Sequence, residues 1–97
     1  MIKLTENQGE ELKIKEVREA DPEMLGAINA LLPQLSSSFK PLDLAGLQEI
    51  AESPATRLLV ASIGGRVVGN MTLVLFPVPT GRRAWIEDVV VDEAIRG

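Results

Sequence analysis

The residues whose types could do chemistry sit together near the end of the chain, in Trp85-Ile86-Glu87-Asp88-Val89-Val90-Val91-Asp92. Glu87 and Asp88 are adjacent carboxylates inside an otherwise aliphatic run. A run this apolar reads as a strand inside a sheet. If it alternates, Trp85, Glu87, Val89 and Val91 share one face, and Ile86, Asp88, Val90 and Asp92 share the other. The two acids then point to opposite sides, and they act as a close pair only where a bulge breaks the alternation. A carboxylate among apolar neighbours is partly desolvated, which raises its pKa and suits a general base near neutral pH. The competing assignment is structural: the acids lie at the wet end of the sheet or pair with Arg57, Arg82 or Arg83. The residues alone leave both open. Beyond the strand, Arg96-Gly97 reads as the beginning of a loop.

Composition removes many other chemistries. The chain of 97 residues has no Cys and no His. Disulfides, thiol nucleophiles, Cys/His zinc sites and Ser-His-Asp catalysis are therefore excluded within it, and no metal is called. With one Trp, two Phe and no Tyr, the core must be aliphatic, and stacking platforms for bases are lacking. The net charge of −4 argues against nucleic acid and against acidic membrane surfaces. The start lacks the apolar core of a signal peptide, and no run approaches membrane-spanning length. A cytoplasmic location is the expectation.

The elements that must position the acids follow from pattern. Residues 1–11 are polar and read as a flexible lead-in; residues 12–97 form one domain. Leu12 to Arg18 alternates, with Leu12 and Ile14 on one face and Lys13 and Lys15 on a wet one. Asp21-Pro22-Glu23 starts a helix: Asp21 caps it, Pro22 fits the first turn, and Glu23 suits the positive end of the dipole. Leu25, Ile28, Leu31 or Leu32, and Leu35 form its core stripe, and Pro33 ends or kinks it. Ser36 to Pro41 is a loop. Asp43 caps a second helix that buries Leu44, Leu47, Ile50 and Ala51 and stops at Ser53-Pro54.

The pattern then becomes strand-like. Arg57–Ile63 and Arg66–Phe76 flank a two-residue turn at Gly64-Gly65. Gly69 inside the return strand signals a bulge or a close backbone approach. Residues 77–83 connect to a closing strand from Ala84 to Asp92. The fold class is α+β, in the order β-α-α-β-β-β, with two helices and a mostly antiparallel four-stranded sheet. Trp85 reads as core, Asn70 as a satisfied polar group of the strand, and Arg82-Arg83 as a solvated hairpin tip.

Taken in order, these segments resemble the first half of the GNAT (GCN5-related) N-acetyltransferase superfamily. The closing strand followed by Val91-Asp92-x-x-x-Arg96-Gly97 is similar to the entry to that family's acetyl-CoA loop. Its signature is Arg or Gln, two residues, Gly, one residue, then Gly or Ala. Arg96 matches the first position and Gly97 the unconstrained one after it, and the glycine positions after them are absent. Val60-Ala61 and Arg66-Val67-Val68-Gly69 fit the family's hairpin.

The resemblance implies an acyl-CoA N-acyltransferase fold, cut at its phosphate loop. It implies acetyl-CoA as cosubstrate and direct transfer of an acetyl group to a small-molecule or peptide amine. Glu87 or Asp88 becomes the candidate base, with Glu87 preferred. The backbone of Val89, Val90 and Val91 would pair with the pantetheine arm, with Arg96 and Gly97 contributing to the phosphate cradle. Ser38 and Phe39 lie where the family's first two helices wall the acceptor site; the plainer role for them is a solvated linker with a packing anchor. The family's leaving-group acid, commonly a Tyr, has no counterpart here. The alternative function is a non-catalytic, self-associating module. An aliphatic last strand and an uncovered sheet face would then form a homodimer or larger assembly.

Overall fold

The computed structural model describes residues 11–36 and 38–95. Strand β1 (Leu12–Glu16) leads to helix α1 (Pro22–Leu31), helix α2 (Leu44–Glu52) and strands β2 (Thr56–Ile63), β3 (Arg66–Val78) and β4 (Gly81–Val91). The four strands form one antiparallel sheet in the order β1-β2-β3-β4, so β4 is an edge. The fold class is the one expected, β-α-α-β-β-β.

Both helices begin where their capping chemistry dictates. Asp21 Oδ1 accepts the Met24 N–H at 2.8 Å, with Pro22 in the first turn. Asp43 Oδ1 accepts the Gly46 N–H at 2.7 Å. Each cap satisfies a backbone donor that has no partner inside the helix. Pro33 turns the end of α1 into a short 3₁₀ segment, Leu32–Gln34. The stripes differ in detail from the expectation. Met24, Ile28 and Leu31 are the buried residues of α1, whereas Leu35 is 41% exposed; in α2 Leu47 is fully buried and Leu44 is not.

The helices cover one face of the sheet only. Residues paired across antiparallel strands project to the same side. Leu58, Val60 and Val90 are buried with Asn70 on the helix side, and Val17, Met24, Ile28, Leu47, Leu58 and Val60 form one core cluster. On the opposite face lie Ile14, Leu59, Ala61, Met71, Leu73 and Ile86, with no helix over them among the described residues. This reverses the expectation for β1. Ile14 is 60% exposed on the uncovered face, and Lys15, paired with Val60, lies on the helix side.

Gly64 and Gly65 form the first hairpin turn with φ of 58° and 81°, as their lack of Cβ allows. The second hairpin is longer than expected. β3 runs on through Pro77 to Val78, and β4 begins at Gly81, leaving only Pro79-Thr80 between them. Pro77 is tolerated because β2 pairs with β3 only as far as Val74. Past that point β3 has a free side where a missing N–H costs no ladder bond.

Candidate active site

The site is built around an irregularity in β4. Pairing with β3 runs Val74–Trp85, Leu73–Ile86 and Thr72–Glu87, then resumes at Asn70–Val90 and Gly69–Val91. One residue of β3, Met71, therefore stands opposite two of β4, Asp88 and Val89. The extra residue is accommodated at Asp88-Val89, and Asp88 has φ of 52°, a left-handed conformation that Asp tolerates better than most residues. This is a β-bulge, a device that re-aims side chains and interrupts pairing. It breaks the simple alternation read from the sequence: Glu87 and Val90, three apart, project to the same helix-facing side. Gly69 is explained by the same feature. A Cβ there would lie 3.0 Å from the Val90 carbonyl oxygen, and the β2–β3 register also shifts beside it.

The two acids are not desolvated. β4 is exposed from Gly81 to Val89, and only Val90 is buried. Of the two assignments the sequence left open for Glu87 and Asp88, partial desolvation or the wet end of the sheet, the exposure matches the wet end. The hairpin of β3 and β4 projects past the helices and carries them into solvent. Trp85 is likewise 59% exposed and not core. The alternative ion pairs are also absent among the described residues. Arg57 faces Glu16 at 3.7 Å, and Arg83 donates to Thr80 Oγ1 and to the Arg82 carbonyl. Among the described residues the side-chain partner of Glu87 is Trp85, whose Nε1–H donates to Glu87 Oε1 at 2.5 Å.

Around Glu87 the helix-facing side is polar. Thr72 sits directly across on β3, with Asn70 one pair further along. Asn70 is 7% exposed, and its amide makes no hydrogen bond to a described residue. No fully enclosed side-chain N or O among the described residues lacks a partner, so this amide retains some contact with solvent. Reading Asn70 as a satisfied strand residue missed this.

On the other face Val89, Val90 and Val91 border an apolar groove of about 180 Å³, with Ile14, Leu59, Ala61, Gly69 and Met71. The larger groove, about 650 Å³, lies between β1 and α1 and is lined by Lys13, Lys15, Asp21 and Glu23. It holds none of the candidate residues, and its mixed charges are those of a solvated crevice.

The exit of β4 is pinned. Gln34, in the 3₁₀ segment, accepts the Glu93 N–H at 2.8 Å and donates to Asp92 Oδ1 at 3.3 Å. Asp92 also accepts the Ala94 N–H at 3.0 Å and faces Arg66 at 3.4 Å. These contacts join the end of α1 to the end of β4 across more than fifty residues, which no local pattern reveals. Arg96 and Gly97 lie outside the described residues. Among the described residues Ser38 bonds to Ser36, within its own loop, and Phe39 is half-buried; neither bonds to Glu87 or Asp88. The loop between the helices is held by Asn29, which both donates to and accepts from the Leu42 backbone, at 2.8 and 2.9 Å. Among the described residues no cluster of acids could hold a metal ion, and no helix is long and apolar enough to cross a membrane.

A bulged edge strand with an exposed acid, with two helices on one face and no described helix over the other, defines the α+β class of the fold and site. Residues 18–97 match the sequence model of the acetyltransferase (GNAT) family, and the chain belongs to that family. Among solved structures it is similar to a putative acetyltransferase from Agrobacterium tumefaciens, with 28% identity and a TM-score of 0.75 over 88% of this chain and 62% of that one. An acetyltransferase from Trypanosoma brucei shows 28% identity and a TM-score of 0.68, over 89% and 63% of the two chains. An aminoglycoside acetyltransferase from an uncultured soil metagenomic sample, in complex with sisomicin, shares the fold at 23% identity, with a TM-score of 0.72 over 86% and 57%. The chain thus spans about three fifths of these structures. No curated protein matches it.

Proposed function

We propose that these residues are the amino-terminal part of an N-acetyltransferase domain that moves an acetyl group from acetyl-CoA to a primary amine. The observation that carries this reading is the bulge at Asp88-Val89. It lies in an edge strand, so the outer backbone groups of Val89, Val90 and Val91 have no strand neighbour among the described residues. Such groups accept an extended ligand as a sheet accepts another strand. The pantetheine arm is a ligand of this kind, and the apolar groove beside the valines suits its aliphatic segments. The residues present therefore fit acetyl-CoA, which when bound supplies the acetyl group as an activated thioester. Arg96 and Gly97 are proposed to open the loop that holds its phosphates.

Glu87 is the proposed base. Its carboxylate takes a proton from the acceptor ammonium, directly or through a water, and frees the lone pair for attack on the thioester carbonyl. The new bond is N–C and the bond that breaks is C–S; the sulfur leaves as a thiolate, which takes up the second proton that the nitrogen loses. Exposure of Glu87 in the absence of ligand is compatible with this role, because catalytic contacts tighten only when substrate is in place. Asp88, at the bulge, is a weaker candidate, since its left-handed backbone is explained by geometry alone. Ser38 and Phe39 are proposed to border the acceptor. The protein is proposed to work in the cytoplasm.

Amide hydrogen exchange with and without acetyl-CoA tests the reading. Slower exchange at Val89–Val91 is expected. Unchanged exchange at a saturating concentration contradicts it.

A second reading is favoured by the uncovered face. Ile14, Ile86 and Val89 are 60%, 55% and 52% exposed on it, beside the edge of β4. Apolar exposure of this kind recruits partners, and a second copy of the chain is the proposed one. Sedimentation at high concentration should then show a dimer; a clean monomer removes this reading.

A further inference from the structure

We propose that Trp85 is a positioning residue for Glu87 and also a recognition platform for the acceptor, selecting amines with a second positive charge near the reacting one. This rests on the assignment of Glu87 as the base. The indole N–H lies in the ring plane and donates to Glu87 Oε1. The carboxylate therefore sits at the ring edge, where it fixes its own orientation and leaves the π faces uncovered by the acid. The ring is 59% exposed, so a face of it is available to solvent. Val74 is its partner across the strand pair, with Thr72 opposite Glu87.

Charge points the same way. Glu87 and Asp88 have no cationic partner among the described residues. The nearest candidate on the same face, Arg83, is turned back onto Thr80 and the Arg82 carbonyl. The local patch is thus an aromatic face beside the unneutralised carboxylate of Glu87. That combination recognises an ammonium: the carboxylate attracts it, and the negative face of the indole holds it by cation–π contact. One ammonium engages Glu87 and gives up its proton there. A second, a few carbons away, rests on the Trp85 ring.

The probes are 1,4-diaminobutane and n-butylamine, which differ by one ammonium. Trp85 is the only Trp in the chain, so its indole N–H gives a single resonance. Glu87→Ala should move that resonance without ligand. An unmoved resonance overturns the positioning contact. In acetyl transfer by the protein, the diamine should have the lower KM. Trp85→Phe keeps a π face and loses the donor, so kcat should fall about tenfold, as for loss of a hydrogen bond to a charged group, with the diamine preference retained. Trp85→Leu should also remove that preference, raising the diamine KM about three- to fivefold. Because the ring is exposed, both variants should fold. If the preference survives Trp85→Leu, or if the two amines have equal KM in the wild type, the platform role is wrong and the acetyltransferase reading stands. If the indole resonance titrates with the diamine but no amine is acetylated, the catalytic reading fails and the cation site stands.

Discussion

The two halves of the sheet behave differently. Where α1 and α2 cover β2 and the start of β3, side chains are sealed: Leu47, Val60 and Val68 are 0%, 1% and 2% exposed. Along β4 only Val90 is buried, and Trp85, Ile86 and Val89 are each more than half exposed. The covered half fixes the geometry. The open half carries the acid, the bulge and the free strand edge, which are the features a ligand can satisfy. A site placed at this border has rigid backbone behind it and unpaired groups in front.

Substitutions that separate the halves should rank by how far each disturbs packing. Leu47→Ala removes the most enclosed side chain and should cost about 2–5 kcal/mol in urea unfolding; a cost below 1 kcal/mol would mean the helix-covered half is not the packed one. Gly69→Ala sets a methyl against the Val90 carbonyl at the border and should cost about 1–3 kcal/mol. Wild-type stability there would show that the bulge yields freely. Asp21→Ala removes the α1 cap for about 1 kcal/mol. Ile86→Thr, on the open half, should stay within about 0.5 kcal/mol. A larger loss in a concentration-dependent transition would instead show that the open face is covered by another copy.

Much of the covered half was legible in the sequence because its signals are local. The caps at Asp21 and Asp43, the break at Pro33 and the Gly64-Gly65 turn each act within a few residues. Gly69 also spoke correctly, since a glycine in a strand interior has few uses. The open half was misread where the outcome depended on partners far along the chain. Alternation shows that Ile14 and Lys15 face opposite ways; it does not show which face the helices cover. Trp85 was placed in the core by its aliphatic neighbours, and Glu87 and Asp88 were left between a desolvated and a wet position, because pattern does not show that the sheet extends past its helices there. The bulge at Asp88-Val89 was signalled only indirectly, by Gly69 on the neighbouring strand. The Asn29–Leu42 and Gln34–Glu93 contacts join segments that no periodicity relates.

The central claim is that the acid held at the bulge is the base for acetyl transfer. The direct measurement is kcat for transfer from acetyl-CoA to a primary amine in the wild type and in Glu87→Gln. That variant keeps the side-chain shape and its acceptor for Trp85 while removing the charge. A loss of about 100-fold or more in kcat, with acetyl-CoA affinity retained, is the predicted result; a variant that keeps half or more of the wild-type rate would contradict the account.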